Sequence, residues 1–336
     1  MTELSSALQQ FLSQQTGASI IIEAVKPIAG GASRETHVIV GSQDGAPFQM
    51  VLRRDLASEM IDNALTRPQE FALLQAAYAA GVKVPKPRYV SADPNILERP
   101  FLLMDYVEGI SIGPKVVRAP ELEAARAVLP AQLGEQIARV HQMNPDDPSL
   151  SFLERPSPNR NPAQHALDNL RAMIDRLGVQ NPAVAFAVRW CEQNAPDPLP
   201  LTIIHGDFRI GNVLVGPEGL RAIIDWEFSH IGDPREDLAW PCVRDWRFGK
   251  VDRHFGGIDD REAFLSAYEQ HRNVTIDRKA VDYWEILGNL RWGVTCLAQA
   301  ERHLSGKDIS IEFASLGRRA VEMQAEYLRL IQAWKD

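Results

Sequence analysis

Apolar and polar positions alternate along the first fifty residues and cycle helically further on. Residues 20–28, Ile-Ile-Ile-Glu-Ala-Val-Lys-Pro-Ile, have the β-branched richness of a strand. Gly30-Gly31-Ala32-Ser33 is a turn signal, Glu35–Val40 a second strand, and the polar stretch 41–45 another turn. Phe48–Arg53 predicts a third strand, so this segment reads as an antiparallel meander with glycine in its first turn. A helix should follow. Thr66 suits the N-cap, Pro68 the first turn, and Gln69 completes a capping box. Phe71, Leu74 and Tyr78 fall at i, i+3 and i+7, and Gly81 closes the helix. Val82–Pro87 is extended, because residues before proline avoid the helical region. Phe101–Met104 reads as a buried strand running into Asp105-Tyr106-Val107-Glu108-Gly109.

From Glu121 onward the period is mainly helical, with Leu133, Ile137, Val140 and His141 on one stripe. The chain closes with two long amphipathic stretches, near 277–303 and 310–334. The exception is an island at 202–225. It has an apolar strand ending at Ile204, a polar loop, and two strands around Gly216-Pro217-Glu218-Gly219. The predicted layout is α+β: a sheet-rich lobe over 1–104, a connector at 105–109, and a helical lobe over 110–336. No internal repeat or low-complexity tract appears.

Composition narrows the function classes without choosing one. The 336 residues hold 36 Lys+Arg against 44 Asp+Glu, a net charge of −8, which disfavours a nucleic-acid binder. No uncharged apolar run approaches the roughly 18 residues of a membrane span. The N-terminus lacks the basic and apolar regions of a secretory signal. Cys191, Cys242 and Cys296 are widely spaced and odd in number, which predicts neither a disulfide framework nor a zinc knuckle. A reduced, cytoplasmic protein is the expectation.

The candidate chemistry lies in the island. It reads His205-Gly206-Asp207-Phe208-Arg209-Ile210-Gly211-Asn212 and, one hairpin later, Ile224-Asp225-Trp226-Glu227. The hairpin spacing predicts that Asn212 and Asp225 lie side by side, an amide oxygen and a carboxylate of the hard kind that Mg²⁺ prefers. Asp207 would face the same place. A base, a metal carboxylate and a metal amide are what phosphoryl transfer asks of a protein. It needs an oriented nucleophile and cations that neutralise charge spreading over the phosphoryl oxygens.

The order and spacing of these motifs resemble the aminoglycoside phosphotransferase/choline kinase family, small-molecule relatives of the protein kinases. The motifs are His205-Gly206-Asp207, Asn212, Asp225-Trp226-Glu227, Gly232-Asp233-Pro234 and Asp237-Leu238-Ala239. The branch linked to acyl-CoA dehydrogenases is similar in addition through Val51-Leu52-Arg53-Arg54, the Asp105–Gly109 connector and the Asp-Trp-Glu ending. The resemblance implies a bilobal protein-kinase-like fold and covers roughly residues 25–335.

The same resemblance implies roles. Asp207 accepts or orients the acceptor hydroxyl, and Asn212 and Asp225 hold Mg²⁺ at the nucleotide phosphates. Arg209 stands where protein kinases carry a lysine that meets the γ-phosphate; by itself it also reads as a solvated loop arginine. Glu227 is a second metal ligand or the partner of a basic group. His205 and Asp237 order the loop, and Asp233 sits in a turn. In the small lobe, Ser33 covers phosphates and Arg53 replaces the usual strand lysine. Glu70 is its natural ion-pair partner, and Arg54 points to solvent on the opposite strand face. Met104, Asp105 and Val107 would hold the adenine. Trp240, Trp246, Trp284 and Trp292 line an acceptor site or pack the core.

The expectation is therefore an ATP-dependent O-phosphotransferase with Mg²⁺, GTP remaining open. Its acceptor would be a small-molecule hydroxyl, a hydroxyacyl compound before an aminoglycoside, amino alcohol or sugar. Two readings of other classes compete. A metal-dependent hydrolase using His205, Asp207, His230 and Asp233 leaves Asn212 and Asp225 without work. A nucleotide-binding pseudokinase should have lost Asp207, Asn212 or Asp225, and all three are present. Oligomeric state is not written in the sequence.

Overall fold

Strand alternation sets the architecture of the first part. The computed structural model describes residues 3–28, 34–55 and 64–334. Three long strands form the meander: β1 (Ile20–Pro27), β2 (Arg34–Gln43) and β3 (Ala46–Asp55). Ile20 and Ile22 turn inward while Ile21 is exposed, as a period of two requires. β4 (Pro87–Ser91) and β5 (Phe101–Asp105) complete a five-stranded antiparallel sheet in the order β1-β2-β3-β5-β4. β3 is therefore central. Arg53 lies opposite Thr36 on one side and Leu102 on the other.

An N-terminal helix, α1 (Glu3–Thr16), was not anticipated. Its Leu8, Phe11 and Leu12 fall at i, i+3 and i+4 and pack against Ile20, Ile22, Ile39, Leu52, Phe101 and Leu103. Phe11 meets the Phe101 ring edge-on at 5.1 Å. Helix α2 (Arg67–Ala79) begins as the capping box predicts: the Thr66 N–H donates to Gln69 Oε1 at 2.9 Å, and Gly81 follows the C-cap with φ 76°. Its buried face differs from the expected one. Arg67, Glu70, Leu73, Leu74 and Ala77 are buried and Tyr78 is exposed, because the helix turns a charged pair inward and not its largest aromatic ring. A short helix, α3 (Pro94–Leu97), links β4 to β5.

The chain divides into two compact units. The first holds Met1–Gly109, Asp146–Phe152 and Arg221–Ser229; the second holds Ile110–Pro145, Leu153–Leu220 and His230–Asp336. Helices dominate the second: α4 (Gly113–Arg118), α5 (Glu123–Val140), α6 (Pro162–Leu177), α7 (Pro182–Asn194), α8 (Arg235–Ala239), α9 (Glu262–Arg272), α10 (Arg278–Leu304) and α11 (Ile311–Ala333). Asn161-Pro162 and Asn181-Pro182 start α6 and α7, each Asn accepting a backbone N–H while proline takes the first helical turn. Asp277 and Ser310 cap the two long closing helices in the same way.

The stripe of Leu133, Ile137, Val140 and His141 is fully buried. α5 crosses α9 closely at Gly134, where a Cβ would stand 2.3 Å from the Phe264 carbonyl oxygen. Strands β6 (Thr202–Ile204) and β9 (His230–Gly232) pair antiparallel and bracket the island. β7 (Val213–Gly216) and β8 (Gly219–Ile223) flank its Pro217-Glu218 turn. No described helix is long and apolar enough to cross a membrane. Cys191, Cys242 and Cys296 are free and buried, and burial pushes each thiol up to about 12.

Candidate active site

In the first unit the candidate residues form a buried ion network on β3, α2 and the segment after β8. Arg53 Nη1 donates to Glu70 Oε1 at 2.5 Å, and its Nη2 donates to Asp225 Oδ1 at 2.7 Å. Glu227 lies 3.9 Å from the same Nη2. A second guanidinium completes the network. Arg67, fully buried at the start of α2, pairs with the other Glu70 oxygen, with Asp55 at 3.1 Å and with Glu227 at 3.8 Å.

Burial alone would lower the pKa of Arg53, but the carboxylates of Glu70, Asp225 and Glu227 outweigh it and raise it. Arg53 therefore stays charged. Glu227 is 2% exposed and sits between Arg53 and Arg67, so basic partners account for its carboxylate. Asp225, with 31% of its side chain exposed, is the outward member. Its φ of 69° places it in the left-handed region, which Asp tolerates better than most residues. Among the described residues, four carboxylates meet two guanidiniums in this network.

The neighbouring candidates are less tightly held. Arg54 is not solvated as expected: it makes a bidentate pair with Glu35 and donates to the Leu97 carbonyl at 3.1 Å. Met104 is buried at the end of β5. Asp105 is clasped by Arg88 at 2.6 and 2.8 Å, its backbone N–H donates to the Lys86 carbonyl, and Val107 is half-buried. Ser33, with the Gly30-Gly31-Ala32 turn, lies outside the described residues.

In the second unit the His205–Asn212 loop surrounds one carboxylate with donors. Asn212 Nδ2 donates to Asp207 Oδ2 at 2.5 Å and to the Asp207 carbonyl at 2.9 Å. Arg209 Nε reaches both Asp207 oxygens, at 3.0 and 3.2 Å. Trp240 Nε1 donates to Oδ1 at 2.7 Å. Two glycines permit this turn. Gly206 has φ 83°, and a Cβ on Gly211 would stand 2.1 Å from Arg209 Nη1, where the guanidinium folds back over the loop.

The loop backbone is fixed from behind. Asp237, fully buried, accepts the N–H of His205 at 2.7 Å and of Gly206 at 3.0 Å. His205 Nδ1 accepts the Asp207 N–H at 3.2 Å, which puts that ring's proton on Nε2. Sequence reasoning treated His141 only as part of an apolar stripe. It lies 3.2 Å from Asp237 and 3.0 Å from the Tyr268 hydroxyl. Burial raises the pKa of Tyr268, so its hydroxyl keeps a proton to give to His141 Nδ1, while Nε2–H faces the carboxylate.

Trp240, Trp246 and Trp292 cluster beside Asp207. Their ring centroids are 4.6 to 6.5 Å apart, and Trp284 lies with Tyr283 instead. Arg209 stacks on Trp246 at 4.3 Å and Arg291 on Trp240 at 4.2 Å. Arg291 also binds Glu236 at 2.6 Å, and His230 holds the other Glu236 oxygen at 3.2 Å. Trp240 follows Asp237 by three residues, one helical turn, and that spacing was the available signal for it.

The chain is 30% identical over 202 residues to mouse acyl-CoA dehydrogenase family member 10, a match covering 59% of this chain and 18% of that protein. It is 26% identical over 320 residues to acyl-CoA dehydrogenase family member 11 of Pongo abelii, covering 91% of this chain and 40% of that protein. The chain thus spans well under half the length of these relatives. Among solved structures it is similar to a putative aminoglycoside phosphotransferase from Ralstonia eutropha, with a TM-score of 0.76 at 21% identity, covering 98% and 99% of the two chains. Residues 24–281 match the APH phosphotransferase enzyme family, and the chain belongs to that family.

Proposed function

We propose that the protein is a kinase that moves the γ-phosphate of ATP onto a hydroxyl of a small molecule, and that the acceptor is a hydroxyacyl compound. The observation that carries the reading is the setting of Asp207. Its carboxylate is oriented by Asn212, Arg209 and Trp240, on a loop whose backbone Asp237 fixes. A carboxylate held in this way can orient a hydroxyl for in-line attack and take up its proton.

Mg²⁺ fits the donor chemistry. Asp225 is the part-exposed carboxylate of an acidic cluster that Arg53 and Arg67 hold together. Asn212 commits its Nδ2 to Asp207, so its amide oxygen is the atom a cation would meet. When bound, Mg²⁺ neutralises charge on the nucleotide phosphates. Arg53 holds Asp225 in place and adds positive charge, with Glu70 and Arg67 behind it. Arg209 meets the transferring group, and Ser33, Met104, Asp105 and Val107 serve the nucleotide.

Two arguments support a hydroxyacyl acceptor over a polycationic one. The groups beside Asp207 are guanidiniums and indoles, which favour an anionic and partly apolar molecule. The matched segments of the relatives belong to proteins named for acyl-CoA dehydrogenation. The test is an ATP-consumption screen over hydroxyacyl-CoAs, aminoglycosides, choline-like amines and sugars, with and without Mg²⁺. Mg²⁺-dependent turnover with a hydroxyacyl-CoA, abolished in Asp207→Ala, is expected. Turnover confined to an aminoglycoside or amine would overturn the acceptor. Turnover unchanged in Asp207→Ala would overturn the mechanism.

A further inference from the structure

Helix α8 and the residue that follows it face three successive positions of the candidate loop. Asp237 takes the backbone N–H groups of His205 and Gly206. One turn later, Trp240 donates its indole N–H to the side chain of Asp207 at 2.7 Å. A bond from a neutral donor to a carboxylate is charge-assisted and directional, and the Asp207 side chain is only 14% exposed. Trp240 is 6% exposed, so solvent offers little competition.

The indole itself has little freedom. The Arg291 guanidinium lies over its ring at 4.2 Å, Arg291 is tied to Glu236 at 2.6 Å, and Trp246 and Trp292 pack around it. The other Asp207 oxygen is held by Asn212. The carboxylate is thereby gripped at Oδ1 by a rigid ring and at Oδ2 by a loop amide. Arg209 Nε spans both oxygens while its guanidinium stacks on Trp246.

We propose that Trp240 is a positioning residue for phosphoryl transfer: its indole N–H fixes the rotamer of Asp207, and Arg291 fixes the indole. The assignment rests on the reading of Asp207 as the group that orients the acceptor hydroxyl. A misplaced carboxylate would slow the chemical step and leave nucleotide binding alone, since positional errors near 1 Å can cost about a hundredfold in rate.

The test uses the full chain, with Mg·ATP hydrolysis (water as acceptor) as the activity and a Mg·ATP thermal shift as the binding measure. Trp240→Phe keeps an aromatic ring and removes the N–H; it should lower kcat about tenfold or more with KM for ATP within about twofold of wild type. Trp240→His restores a ring N–H and should recover part of the loss. Independently, in ¹⁵N-tryptophan-labelled protein, the Trp240 indole proton should move upfield in Asp207→Leu more than any other of the seven indoles. Wild-type kcat in a folded Trp240→Phe would overturn the assignment, as would an indole resonance indifferent to Asp207→Leu. If the wild type shows neither turnover nor a nucleotide shift, the kinase reading fails, and the resonance still decides whether Trp240 holds Asp207.

Discussion

The two units handle charge in opposite ways. In the first, among the described residues, two buried guanidiniums serve four carboxylates. In the second, three donors converge on the single carboxylate of Asp207, and hydrogen bonds are in excess. The first arrangement binds its charges to one another and resists losing any of them. The second fixes one acceptor in space among arginine–carboxylate pairs and indole rings. Phosphoryl transfer has use for both, since one end of the reaction accumulates negative charge and the other must aim a hydroxyl.

The largest expected effect tests the second arrangement. Asp207→Asn keeps the shape and removes the base, so turnover should fall about a thousandfold while a Mg·ATP thermal shift persists. Retained turnover would show that the donors serve structure alone. Next is the first network. Glu70→Ala strips a carboxylate shared by Arg53 and Arg67, and leaving buried charge uncompensated should cost about 3–5 kcal/mol. Urea unfolding measures it, and a loss below 1 kcal/mol would mean that the network is not a coupled unit.

Arg53→Lys should weaken Mg·ATP-dependent turnover about tenfold, because a compact ammonium cannot repeat the two-armed hold on Glu70 and Asp225. Full activity in that variant would separate Asp225 from Arg53. Acid stability probes the support of α8. Burial works to raise the pKa of Glu236, but His230 and Arg291 outweigh it and hold the carboxyl down to about 2, against an ordinary 4.5. Its contribution is therefore fully present above pH 4.5 and lost as pH falls from there toward 2. Glu236→Gln should show a smaller drop in Tm across that window than the wild type; equal slopes would refute the assignment. The smallest effect is expected from Gly211→Ala, whose methyl displaces the Arg209 guanidinium. The loop should fold as before, with Tm lowered by less than about 2 °C, since Asn212 and Trp240 still hold Asp207; a larger drop would show that the Arg209 contact supports the loop.

Much of this was legible beforehand, for physical reasons. The capping box at Thr66 and Gln69 and the meander follow from local rules, and the structure shows both. The pairing of Arg53 with Glu70, which the family resemblance implies, is present at 2.5 Å. What was missed depends on distant partners. Arg67 looks like a solvent-facing residue at a helix start until Asp55 and Glu227 surround it. His141 continues an apolar stripe, and only the arrival of Asp237 and Tyr268 makes it a hydrogen-bonding hub. α1 is different: its Leu8, Phe11 and Leu12 carry a helical period within an otherwise polar segment. Arg54 shows the limit of face-counting, since Glu35 on the adjacent strand claims it.

The clasp between α8 and the loop has a consequence for portability. Residues 205–212 cannot be transplanted as a cassette. On another scaffold the amides of His205 and Gly206 would lack the Asp237 carboxylate, and Asp207 would lack the Trp240 indole. The smallest transferable module comprises two segments, the loop and residues 233–240, and a graft must reproduce the separation between them. Recombination within this family should tolerate crossovers between Asn212 and Trp240 poorly, because they part the loop from the Asp237 and Trp240 to which it was matched.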